Sequence, residues 1–414
     1  MPDTTRESEA AAAPFSDPQD APVPAVAPAS PPARQAHVAA LDSLRALAVL
    51  AVILYHTGQL RCGWLGVPMF FALSGHFITR TLLSHPELSR GQRARNFFRN
   101  RLLRLAPLYF LFVAALTVYS IAGGGDSTLS RDLPYLWTWT WNLSALLHDF
   151  HPTSLVLYAQ VWSLGVEVQL YVIWALLALL LPRRWFVGTS VVLAFAGPLL
   201  RWAVWLLADA TNFPIKPLQA MVVYCNPLCY LDVFAIGALT ALPEARRYLR
   251  GFAAAAVALF TVVTATMIIQ GFADGTGFRS DLGYPVLLAT HDDWVWKYSV
   301  AGLFFGAVIY YTTREGRHQQ VLSWRPLVRI GIISYGIYLL HLVVLGRIFD
   351  VHQPTVHGWT GADLAVAAIG IAAAYLVAEV SYRLIERPFL RRKKGSLAQE
   401  LAAENTPSST SVAV

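Results

Sequence analysis

The sequence predicts an all-α polytopic membrane protein, a bundle of about ten transmembrane helices with both termini cytoplasmic. Two observations give the class and a third the topology. Of 414 residues, 56% are hydrophobic and only 14% charged, with a mean hydropathy of +0.47. Some ten separate apolar stretches are long enough, at about 20 residues each, to cross a hydrocarbon core of about 30 Å. The arginines between those stretches fall on alternate sides. Spans at about 38–57, 64–84, 101–121, 161–181, 186–208, 222–241, 251–271, 295–313, 330–350 and 362–385 leave the basic clusters Arg90–Arg99, Arg183–Arg184, Arg246–Arg250, Arg314–Arg329 and Arg387–Lys394 on the side of the N-terminus. The opposite side keeps only Arg61, Arg131, Lys216 and Arg279. Positive loops stay inside, so this asymmetry sets the orientation.

Taken in order, residues 1–37 are rich in Ala, Pro and Asp with almost no bulky apolar residue. They cannot bury a core and read as a disordered tail, without the basic start and apolar stretch of a signal peptide. The membrane domain runs over 38–390. Its first helix carries Asp42, Arg45 and His56 within LDSLRALAVLAVILYHT, and Arg45 and His56 are eleven residues apart. At 100° and 1.5 Å per residue they share one face, about 16 Å apart along the axis. The second helix holds Ser74 and His76 in FFALSGHFITR. The third opens with FFRNRLLRLAPLY, where Arg101 and Arg104 at i,i+3 share a face that suits a phosphate-bearing group arriving from the cytosol. The segment Leu133–Phe150 holds Trp137, Trp139 and Trp141; counting it as a span would turn every later basic loop outward, so it is laid in the outer interface. The fourth helix buries Glu167 in QVWSLGVEVQLYVIWALL. In the sixth, Cys225 and Cys229 read as packing. The ninth carries Tyr335, Tyr338 and His341 in ISYGIYLLHLVV. Residues 391–414 form a basic, then disordered, tail.

Inside a bilayer an ionisable side chain is expensive unless paired or hydrated, so each is a candidate for function. Arg45, His56, Arg101, Arg104 and Glu167 lead. Ser74, His76, Tyr338 and His341 are further candidates for an acceptor or pocket, though polar contacts between helices would also account for them. No metal site is expected. His148, Asp149 and His151, and His291, Asp292 and Asp293, are loop clusters read as solvated. The net charge of +7 is explained by the inner loops, so a lipid bilayer is the partner and nucleic acid is not.

These residues sit in six motifs that together resemble the membrane-bound acyltransferase-3 family: LDSLRALAVLAVILYH, GWLGVPMFFALSGHFIT, the RLLR of Arg101–Arg104 followed by LAPLYF, VWSLGVEVQLY, ISYGIYLLH and YRLIERPF. Their order and spread, from Leu41 to about Phe389, make the resemblance specific. It implies a multi-pass enzyme of a bacterial plasma membrane that acylates a hydroxyl of a sugar or of a macrolide-like metabolite. Acyl-CoA would be co-substrate, and no cofactor would be bound. His56 and Glu167 would be catalytic, the carboxylate raising the basicity of the imidazole. Their side chains lean toward similar depth, because the two helices run in opposite directions. Arg45, Arg101 and Arg104 would hold the donor phosphates. Two departures stand out: Val168 follows the motif glutamate where a second carboxylate is common, and His76 replaces an aromatic or aliphatic residue. No extracellular hydrolase-like domain is expected after the tenth helix, leaving the acceptor to the membrane core. The rival is a transporter or flippase of lipid-linked sugars, which more often shows paired halves; no internal repeat relates the first five helices to the last five.

Overall fold

The computed structural model describes residues 31–123, 127–147, 157–210, 221–275, 281–284, 293–314, 316–349 and 359–391. Among them every regular element is a helix. The chain begins with α1 (Pro31–His56), seven residues before the expected start, since proline is tolerated in the first turn of a helix. A 3₁₀ turn leads into α2 (Gly66–Leu83). Next, α3 (Arg90–Ile121) is primed by a capping box in which Ser89 accepts from the Gln92 amide and Gln92 answers back. The basic loop expected before residue 101 is therefore helical.

Two short helices follow, α4 (Ser127–Trp137) and α5 (Trp141–Leu147). Neither is long enough to cross a bilayer, which accords with a non-spanning segment. Beyond them lie α6 (Val161–Leu180), α7 (Arg183–Ala210), α8 (Leu231–Leu239), α9 (Arg246–Ala273), α10 (Trp294–Thr312), α11 (Arg317–Leu322), α12 (Arg325–Ile332), α13 (Ser334–Phe349) and α14 (Gly361–Ser381), the last running on through a π-helical turn at Tyr382–Glu386.

Each of the ten expected spans meets a helix, but six of these helices are long and apolar enough to cross a membrane, or seven if a bent pair is one span. Two expected spans differ in shape. The span at 222–241 shortens to α8, because Pro227 and the Asn226 side chain, which accepts from the Leu228 amide at 3.0 Å, impose a 3₁₀ turn ahead of it. The span at 330–350 breaks at Ile333, where α12 and α13 meet at 74°. There Gly331 lies so close to α1 that a Cβ would sit 1.8 Å from the Asp42 carbonyl oxygen.

At the centre, α2 and α8 pack backbone to backbone. A Cβ on Gly75 would lie 2.0 Å from the Phe234 carbonyl oxygen, and one on Gly237 1.9 Å from that of Ala72. Small residues at such a crossing replace the hydrophobic drive that helices lack in lipid. Around this pair stand α1, α6, α7 and α10, while α9 shows most of its apolar surface outward, as a lipid-facing helix must. A second brace is ionic. Arg201 of α7 is fully buried and donates to both Asp232 oxygens (3.2 and 3.0 Å), to the carbonyls of Cys229 (2.7 Å) and Val295 (2.9 Å), and to Ser299. This satisfied cluster ties α7, α8 and α10 together, and it explains two buried charges as structural. Cys62, Cys225 and Cys229 are buried free thiols, in line with packing.

Candidate active site

The helices α1, α2, α3, α6 and α13 surround one internal cavity, and most of the predicted residues line it. Its wall holds Arg45 from α1, Ser74 from α2, Arg101 and Arg104 from α3, Glu167 from α6 and Tyr338 from α13. Glu167 is fixed from two sides: the Ser74 hydroxyl donates to its Oε1 at 2.5 Å, and the Tyr171 hydroxyl donates to the same oxygen. The Arg101 guanidinium lies over the rings of Phe97 and Tyr171, 5.6 and 5.2 Å from their centroids, so its plane is set by stacking. Arg45 points into the same space with a buried Nε that has no hydrogen-bond partner among the described residues. Three cations and one carboxylate thus face a pocket walled by Phe70, Phe71 and Phe77. Such a pocket favours an anion with an apolar extension.

The imidazoles form a second group. His56, the last residue of α1, packs against His341, with ring centroids 5.1 Å apart. The Nδ1 of His341 lies 2.6 Å from the Tyr338 carbonyl oxygen, a contact that only a protonated Nδ1 can make, leaving Nε2 as a buried lone pair without a partner among the described residues. Tyr338 joins the two groups: its hydroxyl bonds Ser163 at 2.6 Å, its ring is 5.6 Å from that of His341, and it lines the cavity.

Two residues are placed differently from the expected arrangement. His56 and Glu167 make no hydrogen bond or ion pair among the described residues; the carboxylate accepts from Ser74 and Tyr171 in the pocket that the arginines also line, while the imidazole packs against His341. The reason is register. Ser163 is the α6 residue bonded to Tyr338, near the histidines, and Glu167 is four residues further on, about 6 Å deeper at 1.5 Å per residue. His76 does not line the cavity. Its ring is buried against α8, Nδ1 lying 2.7 Å from the Thr240 hydroxyl oxygen. That hydroxyl already donates to the Gly237 carbonyl at 2.6 Å, so His76 is the donor and serves as an interhelical link.

Sequence reasoning passed over Tyr171, Ser163 and Ser334. The first two were within reach, since Ser163, Glu167 and Tyr171 recur every four residues and must share a face. Of the loop clusters, His148, Asp149, His151, His291 and Asp292 lie outside the described residues. Asp293 forms an ion pair with Lys297 at 2.7 Å.

Comparison with known proteins bears on what this pocket belongs to. The peptidoglycan O-acetyltransferase OatA of Listeria monocytogenes is 28% identical over 382 residues, covering 87% of this chain and 56% of that protein. The O-acetyltransferase OatA of Staphylococcus aureus strain NCTC 8325 is 26% identical, covering 87% and 60%. BcsY of Komagataeibacter xylinus, named as a membrane-bound transacylase, is 29% identical over 84% of this chain and 81% of its own. The chain therefore spans less than two thirds of the length of the OatA relatives. No solved structure matches it significantly. The acyltransferase-domain family model Acyl_transf_3 matches residues 38–379, which takes in the arginine-lined cavity and both histidines, and this multi-pass membrane protein belongs to that acyltransferase family.

Proposed function

We propose that the protein transfers an acetyl or other short acyl group from acyl-CoA to a hydroxyl of a carbohydrate, with both termini and the basic end of the bundle in the cytoplasm. The observation that carries the reading is the meeting of Arg45, Arg101 and Arg104 with Glu167 in one aromatic-walled cavity, next to a pair of buried imidazoles. The arginines bind the donor phosphates as forked contacts, and the apolar wall accepts its pantetheine arm. Glu167 is bonded by Ser74 and Tyr171 and holds the guanidinium groups in register. His56 is the base. It takes the proton from the acceptor hydroxyl as the oxygen attacks the thioester carbonyl; the C–O bond forms, the C–S bond breaks, and the proton passes to the departing sulfur. His341, its Nδ1–H held by the Tyr338 carbonyl, is a fixed ring against which His56 packs, and this contact orients the base.

A carbohydrate acceptor is supported by the relative named as a peptidoglycan O-acetyltransferase. The transporter reading loses ground, because the family is one of acyltransferases. Purified protein given acetyl-CoA and glycan fragments should release free thiol and add one acetyl mass to the glycan. Mass gain confined to a small secreted metabolite would move the acceptor to the macrolide-like class, and no thiol release would remove acyl-CoA as donor.

A further inference from the structure

A second basic hollow lies at the other end of the same three helices. It is lined by Arg80 of α2 and Ser84 just past its end, Arg90 and Arg93 of α3, the end of α6 at Ala178–Leu179, and Arg183, the first residue of α7. Arg183 is committed, with two 2.8 Å bonds to Glu244. Arg93 gives one N–H to the Leu82 carbonyl at 3.3 Å, and its Nε is buried with no partner among the described residues. An unsatisfied buried guanidinium N–H is costly unless something comes to meet it.

The two cavities are related by one helix face. Arg90, Arg93, Phe97, Arg101 and Arg104 follow one another at steps of three, four, four and three residues, which keeps them in line along α3. From Arg93 to Arg101 is eight residues, about 12 Å along the axis. Along α2 the order is Ser74 and Phe77, then Arg80, with Ser84 just past its end; along α6 it is Glu167 and Tyr171, then Ala178. One elongated molecule carrying phosphates at two places would engage both.

We infer that the hollow at Arg90 and Arg93 is a separate phosphate subsite that takes the ribose 3′-phosphate of the nucleotide end of the donor, while Arg45, Arg101 and Arg104 take the pyrophosphate. This rests on the acyl-CoA reading above. It divides the charge of the donor between two sites and makes the protein a reader of the 3′-phosphate. The chemistry shared with a phospholipid headgroup makes an anionic lipid the competing occupant.

The test compares acetyl-CoA with its 3′-dephospho form in the full-length protein reconstituted in nanodiscs of zwitterionic lipid, following thiol release. The wild-type protein should prefer the phosphorylated donor by about tenfold or more in kcat/KM, the scale of one charge-assisted contact. In an Arg90→Ala, Arg93→Gln protein that preference should fall to within about twofold, with Arg93→Lys between. A measurement needing no variant runs beside it: adenosine 3′,5′-bisphosphate should inhibit the wild type at about tenfold lower concentration than AMP. Equal use of both donors by the wild type, or a preference that survives the substitutions, would overturn the subsite and leave the donor assignment standing. Turnover of neither donor would overturn the acyl-CoA reading itself. When the comparison is repeated in nanodiscs of rising phosphatidylglycerol content, a variant defect that follows that content, with donor preference intact, would give the hollow to a lipid headgroup.

Discussion

The separation of His56 from Glu167 leads to a sharp kinetic expectation. Replacing His56 by Ala removes the base, and turnover should fall about 100-fold or more, close to 2.7 kcal/mol in the barrier. His341 meets His56 ring to ring at 5.1 Å and acts only through it. Its replacement by Ala should cost about tenfold, and the His56→Ala, His341→Ala double variant should be no slower than His56→Ala alone. Glu167 instead lines the pocket that holds the arginines, about a helical turn deeper. Glu167→Gln should raise the KM for the donor about tenfold, and because residues without shared partners act independently, the double variant with His56→Ala should lose the product of the two, about 1000-fold in kcat/KM. The assay is thiol release from acetyl-CoA by reconstituted protein over a matrix of donor concentrations. The reasoning is refuted if the His56 and Glu167 losses collapse onto one value, or if those of His56 and His341 multiply.

Three further outcomes follow from the geometry. Arg101→Ala or Arg104→Ala should raise the donor KM much more than the acceptor KM, with Lys restoring only part, because a point charge lacks the planar fork; equal shifts in both constants would return the pair to a membrane anchor. His76→Ala removes the bond to Thr240 across the α2 and α8 contact, so it should lower the temperature at which the detergent-solubilised protein loses its fold, by an amount corresponding to about 1 kcal/mol, while kcat per folded molecule stays within about twofold. In a background free of exposed cysteine, Thr128→Cys in α4 should react with an impermeant thiol reagent from outside, and Ser84→Cys only after the membrane is opened; the reverse pattern would invert the orientation.

Much of this molecule was legible in the chain because bilayers leave few options. Length and hydropathy place the helices, and α6 appears within a residue of its expected bounds. Ionisable residues are so rare in such segments that picking them out recovered Arg45, Arg101, Arg104 and Glu167, which share a cavity. What was not legible is vertical register. The lean of a side chain along its helix moves its tip by a few Å, whereas the offset of α6 against α1 is settled through α13, where Ser163 meets Tyr338, Gln160 donates to the Leu339 carbonyl at 2.6 Å and His341 packs on His56. The break at Ile333 was hidden for a related reason, since a glycine pressed against another helix looks in sequence like any other glycine in an apolar run. His76 shows the limit of rarity as a guide, because a buried imidazole with a threonine within reach is also good interhelical glue.

The close approach of α2 and α8 at Gly75 and Gly237 also bears on how a donor could get in. Ser74 and His76 flank Gly75, so the cavity wall on α2 is a fixed jaw clamped to α8, with no side chains between the backbones to rearrange. The opposing wall is α3, whose apolar stretch is about half as buried as that of α6 and which meets its neighbours through long arginine and aromatic side chains. Side chains of that kind can swing aside without moving a backbone. If the pocket takes a donor as proposed, α3 is the wall whose side chains can give, and substitutions that stiffen α3 should slow product release before they touch the chemical step.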